Sequence, residues 1–165
     1  MSPQKQDYLL RLIEELGQFL AEVTKLRSQG NYGAAMLTIL QAQERLFARP
    51  AKEFISRPVE DQVALLVIGE TAADSREKCL AYARLLTEAG IIYQAKDQTA
   101  LALGAYRFAL HVLLLARERI PGFDPLPLAD RFGPLLDQLP EDGLKDEVRG
   151  LLRQLAAPSP TQRPP

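Results

Sequence analysis

The chain carries one histidine and one cysteine, which limits the metal and nucleophilic chemistry open to it. His111 lies in the apolar run HVLLLA, where we expect a core or boundary side chain rather than a ligand or a general base. Cys79 is expected to be a small apolar core side chain; the alternative is a reactive thiol, if it is exposed near Arg76 or Lys78. A metal site needs several nitrogen or sulfur ligands. We therefore predict no metal and no cofactor.

Adjacent carboxylates could act as an acid–base pair, and they occur at Glu14-Glu15, Glu60-Asp61 and Asp146-Glu147. Neighbouring side chains on a helix point about 100° apart, so these pairs do not converge on one substrate. The run VIGETAAD lacks the lysine of a phosphate-binding loop, and we interpret it as a link between helices. We predict no catalytic residue and no enzymatic activity. A small-molecule-binding protein or enzyme, using the lone histidine, is kept as a third alternative.

Composition and charge exclude some classes of function. Apolar residues make up 47% and charged residues 25% of the chain, as in ordinary globular proteins. The 20 basic and 21 acidic residues are evenly spread, so there is no basic segment that could neutralise a nucleic-acid backbone. The N-terminus lacks a secretory signal, and the clean apolar runs are shorter than a membrane span. With no possible intrachain disulfide, we predict a cytoplasmic protein without nucleic-acid or membrane partners.

The apolar residues recur with helical spacing throughout the chain, and no window has the alternation of a strand. Glycine and proline at the boundaries separate the helices. We predict an all-α fold with helices over 7–27, 32–49, 58–68, 74–95, 98–119, 128–139 and 141–155. The short link at Gly30 makes the first two helices antiparallel.

Small and aromatic residues alternate at fixed spacing in the stretch from residue 86 to residue 110. The set there is Gly90, Tyr93, Ala102, Tyr106 and Ala109. A weaker set of the same kind is Gly30, Tyr32, Ala35 and Ala42. The turn of this set, at Gly30, lies 67 positions before the corresponding turn of the first set. Small residues allow two helix backbones to approach, and the aromatic rings fill the space beside them. The pattern resembles the tetratricopeptide repeat, whose period is about 34 residues.

The tetratricopeptide resemblance implies antiparallel helical hairpins stacked as a short α-solenoid, a right-handed superhelix, with added C-terminal helices. It is good over 83–116, partial over 16–49 and absent between them. The order of short motifs along the chain also resembles that of an uncharacterised bacterial domain family of unknown function. The motifs are Asp7-Tyr8, Gly30-Asn31-Tyr32, Pro58 to Asp61, Gly69 and the hairpin 77–116. We predict a helical domain over 5–119, a C-terminal helical hairpin over 120–156 packed on it, and a disordered tail over 157–165.

The resemblance implies a protein-interaction or scaffold module that binds a peptide or protein on the first helices of its hairpins. Carried over to this chain, the groove residues are Leu20, Thr24, Arg27, Arg84, Thr87, Ile91 and Gln94. The partner itself is not identified by these positions. The alternative is a self-associating structural or assembly protein, such as a homodimer, that uses the apolar helix 98–116.

The helix 98–116 is apolar nearly all round. Beyond the residues of the repeat pattern it carries a second apolar face: Leu101, Ala105, Phe108, Val112 and Leu115. Such a helix must be covered on both sides. We predict that the C-terminal helices fold back over this second face; the alternative is a subunit interface.

Overall fold

The computed structural model describes residues 3–158, and within that range the protein is all-helical without strands. The helices are α1 (Pro3–Ser28), α2 (Tyr32–Phe47), α3 (Val59–Val67), α4 (Ala72–Ala95), α5 (Thr99–Arg119), α6 (Leu126–Ala129), α7 (Phe132–Asp137) and α8 (Gly143–Ala156). A short 3₁₀ turn, Ala51–Glu53, follows α2. The predicted all-α class is confirmed. Of the predicted disordered tail, Ala157 and Pro158 are exposed, and 159–165 lie outside the described residues.

Helices α1 and α2 form the first antiparallel hairpin. Gly30 joins them with φ of 73°, a left-handed conformation that costs glycine little. Val23 on α1 and Ala35 and Ala42 on α2 are fully buried, so the small side chains let the two helices pack closely. Helix α1 begins four residues earlier than predicted, so Asp7 lies inside it.

The segment between the hairpins is built around α3. Pro58 precedes its first residue, and Gly69 ends the turn after it with φ of 70°. Helix α4 begins at Ala72, two residues before the predicted start at Asp74. The true N-cap is Thr71, whose Oγ1 accepts a hydrogen bond from the Asp74 amide at 3.2 Å and donates one to the Asp74 carboxylate at 2.7 Å. Thr71 therefore caps the helix, and the Asp74 carboxylate orients its hydroxyl.

Helices α4 and α5 form the second hairpin, which is the most closely packed part of the fold. The Tyr106 ring lies directly over Gly90: a Cβ built there would be 2.6 Å from Cδ1 and 3.0 Å from Cζ of the ring. Ala102 and Ala109 are fully buried on α5, as the spacing predicts. Burial raises the pKa of Tyr106, whose hydroxyl donates a 2.8 Å hydrogen bond to Gln94 Oε1. Gly90 and Tyr106 thus meet at the contact between the two helices.

The segment after α5 contains two short helices where one was predicted. The predicted helix 128–139 is divided into α6 and α7 at Asp130 and Arg131. Pro134 has no amide hydrogen and its ring excludes the carbonyl four residues before it, so a continuous helix cannot pass this point. The break directs Phe132 into the core, where its ring meets Tyr106 edge-to-face with centroids 5.6 Å apart.

Helix α8 folds back along α5, as predicted. Arg107 pairs with Glu147 at 3.3 Å, and Arg117 donates to the carbonyls of Leu155 and Ala157 at 2.9 and 3.1 Å. By helical spacing, the side of α5 that bears these two arginines also bears Leu103, Leu110 and Leu114. The C-terminal helices therefore cover this third face of α5, and the prediction that they cover the face of Leu101 and Phe108 is wrong.

A charged cluster stabilises the start of helix α8. It predicts that the free energy of unfolding falls in acid. Hydrogen bonds from Arg149, at 2.8 Å, and from the buried Lys145, at 2.9 Å, lower the pKa of Glu141 from 4.5 to about 2. A carboxyl whose pKa is lower in the folded state stabilises the fold above its ordinary pKa, and this stabilisation is lost as the pH falls towards 2. Between pH 5 and pH 2, Glu141→Gln should therefore lose less unfolding free energy than the wild type.

The matched control for this prediction is Glu22→Gln, on the exposed side of α1. Urea unfolding at pH 5, 4, 3 and 2 measures all three proteins. An acid dependence of Glu141→Gln equal to that of the wild type would show that the cluster does not stabilise α8.

Candidate functional site

An open apolar groove runs between α2 and α5, with α4 as its floor, and encloses about 680 Å³. We call it the α2–α4–α5 groove. Its lining residues come from the two walls, the floor, the segment before α3 and α3 itself: Met36, Leu37, Ile39, Leu40, Gln43, Ile55, Gln62, Tyr82, Leu86, Ala89, Tyr93, Ala100, Leu101, Gly104, Ala105 and Phe108. None of them is charged, and none belongs to the described residues after α5. The fold therefore leaves this surface uncovered.

The directions of the three helices follow from the aromatic contacts along α4. The Tyr82 ring meets Phe47, at the end of α2, with centroids 4.9 Å apart, and Phe108, within α5, with centroids 6.4 Å apart. Tyr93, at the other end of α4, shares the lining with Met36 and Leu101, near the starts of α2 and α5. Helices α2 and α5 are therefore parallel to each other and antiparallel to α4. Both begin at the same end of the groove.

One end of the groove is closed by the segment that precedes α3. Gln62 Nε2 donates to the carbonyls of Phe54 and Arg57 at 2.9 and 3.2 Å, and Gln62 Oε1 accepts from the Tyr82 hydroxyl. Burial raises the pKa of Tyr82, so this phenol stays protonated and donating. The network fixes the closed end and uses the polar groups of Gln62 and Tyr82 within the chain.

Three of the seven exposed large apolar residues of the described chain lie on the rim of the groove. Leu37 on α2 is 56% exposed, Ile55 is 57% exposed and Leu101 on α5 is 52% exposed. Single exposed leucines are common on protein surfaces, but a contiguous apolar patch with a concave floor marks a binding surface. Leu101, Ala105 and Phe108 belong to the apolar surplus that the sequence assigns to the helix 98–116.

The groove predicted from the repeat resemblance lies elsewhere, on α1 and α4, and the chain itself fills part of it. Arg27 forms an ion pair with the buried Glu88 at 3.3 Å, and Arg131 reaches the same carboxylate at 3.3 Å from the α6–α7 link. Gln94 Nε2 donates to the Leu135 carbonyl at 3.2 Å. This end of the predicted groove is thus in contact with the segment around α7.

The other predicted groove residues differ in their exposure. Thr87 is fully buried and its hydroxyl donates to the Ala83 carbonyl at 2.7 Å, so it cannot contact a partner, and this assignment is corrected. Leu20 and Arg84 line a small cavity of about 170 Å³ between α1 and α4. Thr24 is exposed, with its hydroxyl bonded to its own helix, and Ile91 is half-buried.

The structure places the two side chains considered for chemistry, Cys79 and His111, on α4 and α5. Cys79 is fully buried, and burial raises the pKa of its thiol to about 12, as befits a core side chain. His111 is half-buried on α5. The described residues contain no group of three or more histidine, cysteine, aspartate or glutamate side chains that could hold a metal ion.

A second cavity, of about 570 Å³, lies where α5 ends, between residues 117–126 and 155–158. It adjoins the residues that lie outside the description. Arg117 already donates from its wall to the last turn of α8, at 3.1 Å to the Gln154 carbonyl. Its lining is part of the connection between α5 and α8.

Helix α5 is long and apolar enough to cross a membrane by length and composition, with a mean hydropathy of 1.6 over its most apolar 18-residue window. The sequence prediction considered only shorter uninterrupted apolar runs. In the structure α5 packs against α3, α4 and α8. The core helix of a globular domain has the same composition.

Comparison with known proteins adds no assignment to this geometry. Neither a protein-family model, nor a curated protein, nor a solved structure matches the chain.

A sequence signal for the groove exists, although the prediction placed the partner on another face. Residues 32–43 and 98–106 contain no charged side chain, and these runs form the two walls. On an exposed helix, twelve residues without a charge are unusual enough to mark a covered or binding face. Ile55 and Leu86 could not be found in this way, because their positions depend on the tertiary packing of the segment 48–58 and of α4.

Proposed function

We propose that this protein is a non-enzymatic interaction module that binds another protein in the α2–α4–α5 groove. One observation carries the proposal: a concave, uncharged groove of about 680 Å³ has three half-exposed apolar residues on its rim. No described part of the chain covers this groove. Burying such a surface against a partner removes apolar area from water, which is the main driving force of protein association.

The proposal includes a tetratricopeptide-like character for the two hairpins. It is supported by the close contact of Gly90 with Tyr106 and by the burial of Ala102 and Ala109 on α5. The partner surface differs from the one that the resemblance implies, because the segment around α7 contacts Gln94 and Glu88 there. A cytoplasmic location stays a prediction from the sequence.

A second candidate function is self-association through the same face. It is favoured by Leu101, which lies on the apolar helix α5 and is 52% exposed. Two copies facing each other across a two-fold axis would bury both leucines. Light scattering separates the two functions: the first predicts a mass near 18.4 kDa for the isolated protein, and the second predicts twice that value.

The test of the proposal compares three forms of the full chain as affinity baits: wild type, Leu101→Asp and Ile68→Asp. Ile68 is 75% exposed at the end of α3, outside the groove, so its variant is the matched control. A charge at position 101 must be desolvated when a partner covers the groove, which is unfavourable.

We expect proteins that wild type and Ile68→Asp retain equally and that Leu101→Asp retains at least tenfold less. Equal melting temperatures of the wild type and the two variants establish that the fold is intact. Retention of the same proteins by all three baits would contradict the proposal.

A further inference from the structure

The chemistry of the groove walls restricts what can occupy it. We infer that the occupant is a single amphipathic helix of a partner protein, about three turns long, whose C-terminal end lies at the open end of the groove. The inference rests on the proposed function, because it specifies the partner of the same groove. Three properties of the groove carry it: the scarcity of polar groups, the length of its floor and the direction of its walls.

The scarcity of polar groups requires an occupant whose own backbone is already hydrogen-bonded. The walls and floor are α-helices, whose main-chain groups pair within each helix. Gln62 and Tyr82 bond each other, so Gln43 and Tyr93 are the other described lining residues with polar side chains. An extended peptide would bring several N–H and C=O groups into this apolar surface without partners, which is costly. A helix satisfies these groups internally.

The length of the floor matches three helical turns. The floor runs along α4 from Tyr82 to Tyr93, which at 1.5 Å per residue is about 16 Å. Ile55 and Gln62 close one end. The groove is open to solvent, and the side chains on its rims, Leu37 on α2 and Leu101 on α5, are both exposed.

The direction of the walls sets the direction of the occupant. Helices α2 and α5 both start at the open end, and neither first turn contains an acidic residue. Their N-cap residues, Asn31 and Gln98, make no side-chain capping hydrogen bond within the described chain. The partial positive charges at the starts of two helices therefore face the open end. The neighbouring Lys96 and Asp97 have opposite charges and add no net charge there. This arrangement favours the C-terminal end of a partner helix there, with acidic residues in its last turn.

The experiment uses three displayed libraries of 16-residue peptides, selected on the full chain. The first randomises apolar residues at positions i, i+3, i+4, i+7 and i+11 and places two glutamates in the last turn. The second is identical except for a fixed central proline, which breaks the helix. The third moves the two glutamates to the first turn. Leu101→Asp serves as the counter-selection target and Ile68→Asp as the surface control.

We expect binders from the first library whose affinity Leu101→Asp lowers at least tenfold and Ile68→Asp leaves unchanged. The proline library should yield none, and moving the glutamates to the first turn should weaken binding about two- to fivefold. Equally good binders from the proline library would overturn the helical occupant while leaving the groove as a binding surface. Absence of Leu101-sensitive binders from all libraries would overturn the inference and the proposed groove together.

Two other occupants are decided by the same protein samples. A stable dimer that Leu101→Asp dissociates would show that a second copy fills the groove, and this would overturn the partner helix. Dodecanoate binding that Leu101→Asp abolishes, in the absence of any peptide binder, would show an acyl-chain site and would also overturn it.

Discussion

Replacing Phe132 by alanine should lower the free energy of unfolding by about 3–5 kcal/mol, the usual cost of deleting a buried phenylalanine. Phe132 is fully buried at the start of α7, and its ring meets Tyr106 edge-to-face with centroids 5.6 Å apart. Loss of the ring leaves a cavity beside Tyr106, at the point where the C-terminal segment joins the second hairpin. Urea unfolding of the full chain measures the effect.

The matched control is Leu126→Ala, in the same segment, where the side chain is 45% exposed. It should change the free energy of unfolding by about 0.5 kcal/mol or less. A loss below about 1 kcal/mol for Phe132→Ala would show that the segment around α7 does not belong to the core that the rest of the chain forms.

The same substitution at two glycines should give effects of opposite sign. Gly90→Ala places a methyl group within 2.6 Å of the Tyr106 ring, which is fully buried and hydrogen-bonded through its hydroxyl to Gln94. The ring cannot move aside without breaking this packing, and such overpacking costs about 1–3 kcal/mol. The helical preference of alanine over glycine offsets up to about 1 kcal/mol of that cost. We expect a net loss of stability.

Gly17→Ala is the control, since Gly17 lies in α1 with nothing within 4 Å of its added Cβ. It should raise the free energy of unfolding by about 0.5–1 kcal/mol, the helical advantage of alanine alone. Thermal and urea unfolding measure both variants. Stabilisation by Gly90→Ala equal to that by Gly17→Ala would contradict the close contact between α4 and α5.

The second hairpin is the part of the fold that its sequence specifies most fully. The contact between Gly90 and Tyr106 follows from local spacing, because residues on two helices joined by a three-residue link come into register automatically. Ala102 and Ala109 are buried for the same reason. Local order and short links thus carry enough information to place these side chains.

The C-terminal segment shows where sequence reasoning fails. The apolar spacing of 128–139 suits one helix, but Pro134 divides it, and the direction of the chain after the break depends on contacts with Tyr106 and Glu88. Which face of α5 becomes covered is therefore a tertiary outcome. Helix α8 lies on the face of Arg107 and Arg117, and the face of Leu101 stays open.

Only part of the groove was visible in the sequence. The apolar surplus of α5 was noted there, and three residues of that surplus, Leu101, Ala105 and Phe108, line the groove. The residues assigned by resemblance lie on α1 and α4, where Arg27 and Gln94 bond within the chain and Thr87 is buried. A resemblance in spacing does not determine which surface the rest of the chain covers.

A partner protein that binds in the α2–α4–α5 groove must contact the groove rim. The most direct measurement places a photo-cross-linking amino acid at position 37 on the groove rim, at position 84 on the exposed side of α4, or at position 68 outside both surfaces. After irradiation in cells, denaturing electrophoresis resolves the adducts of the full chain. Binding in the groove predicts an adduct with another protein at position 37 and none at positions 84 and 68. An adduct at position 84 without one at position 37 would contradict it.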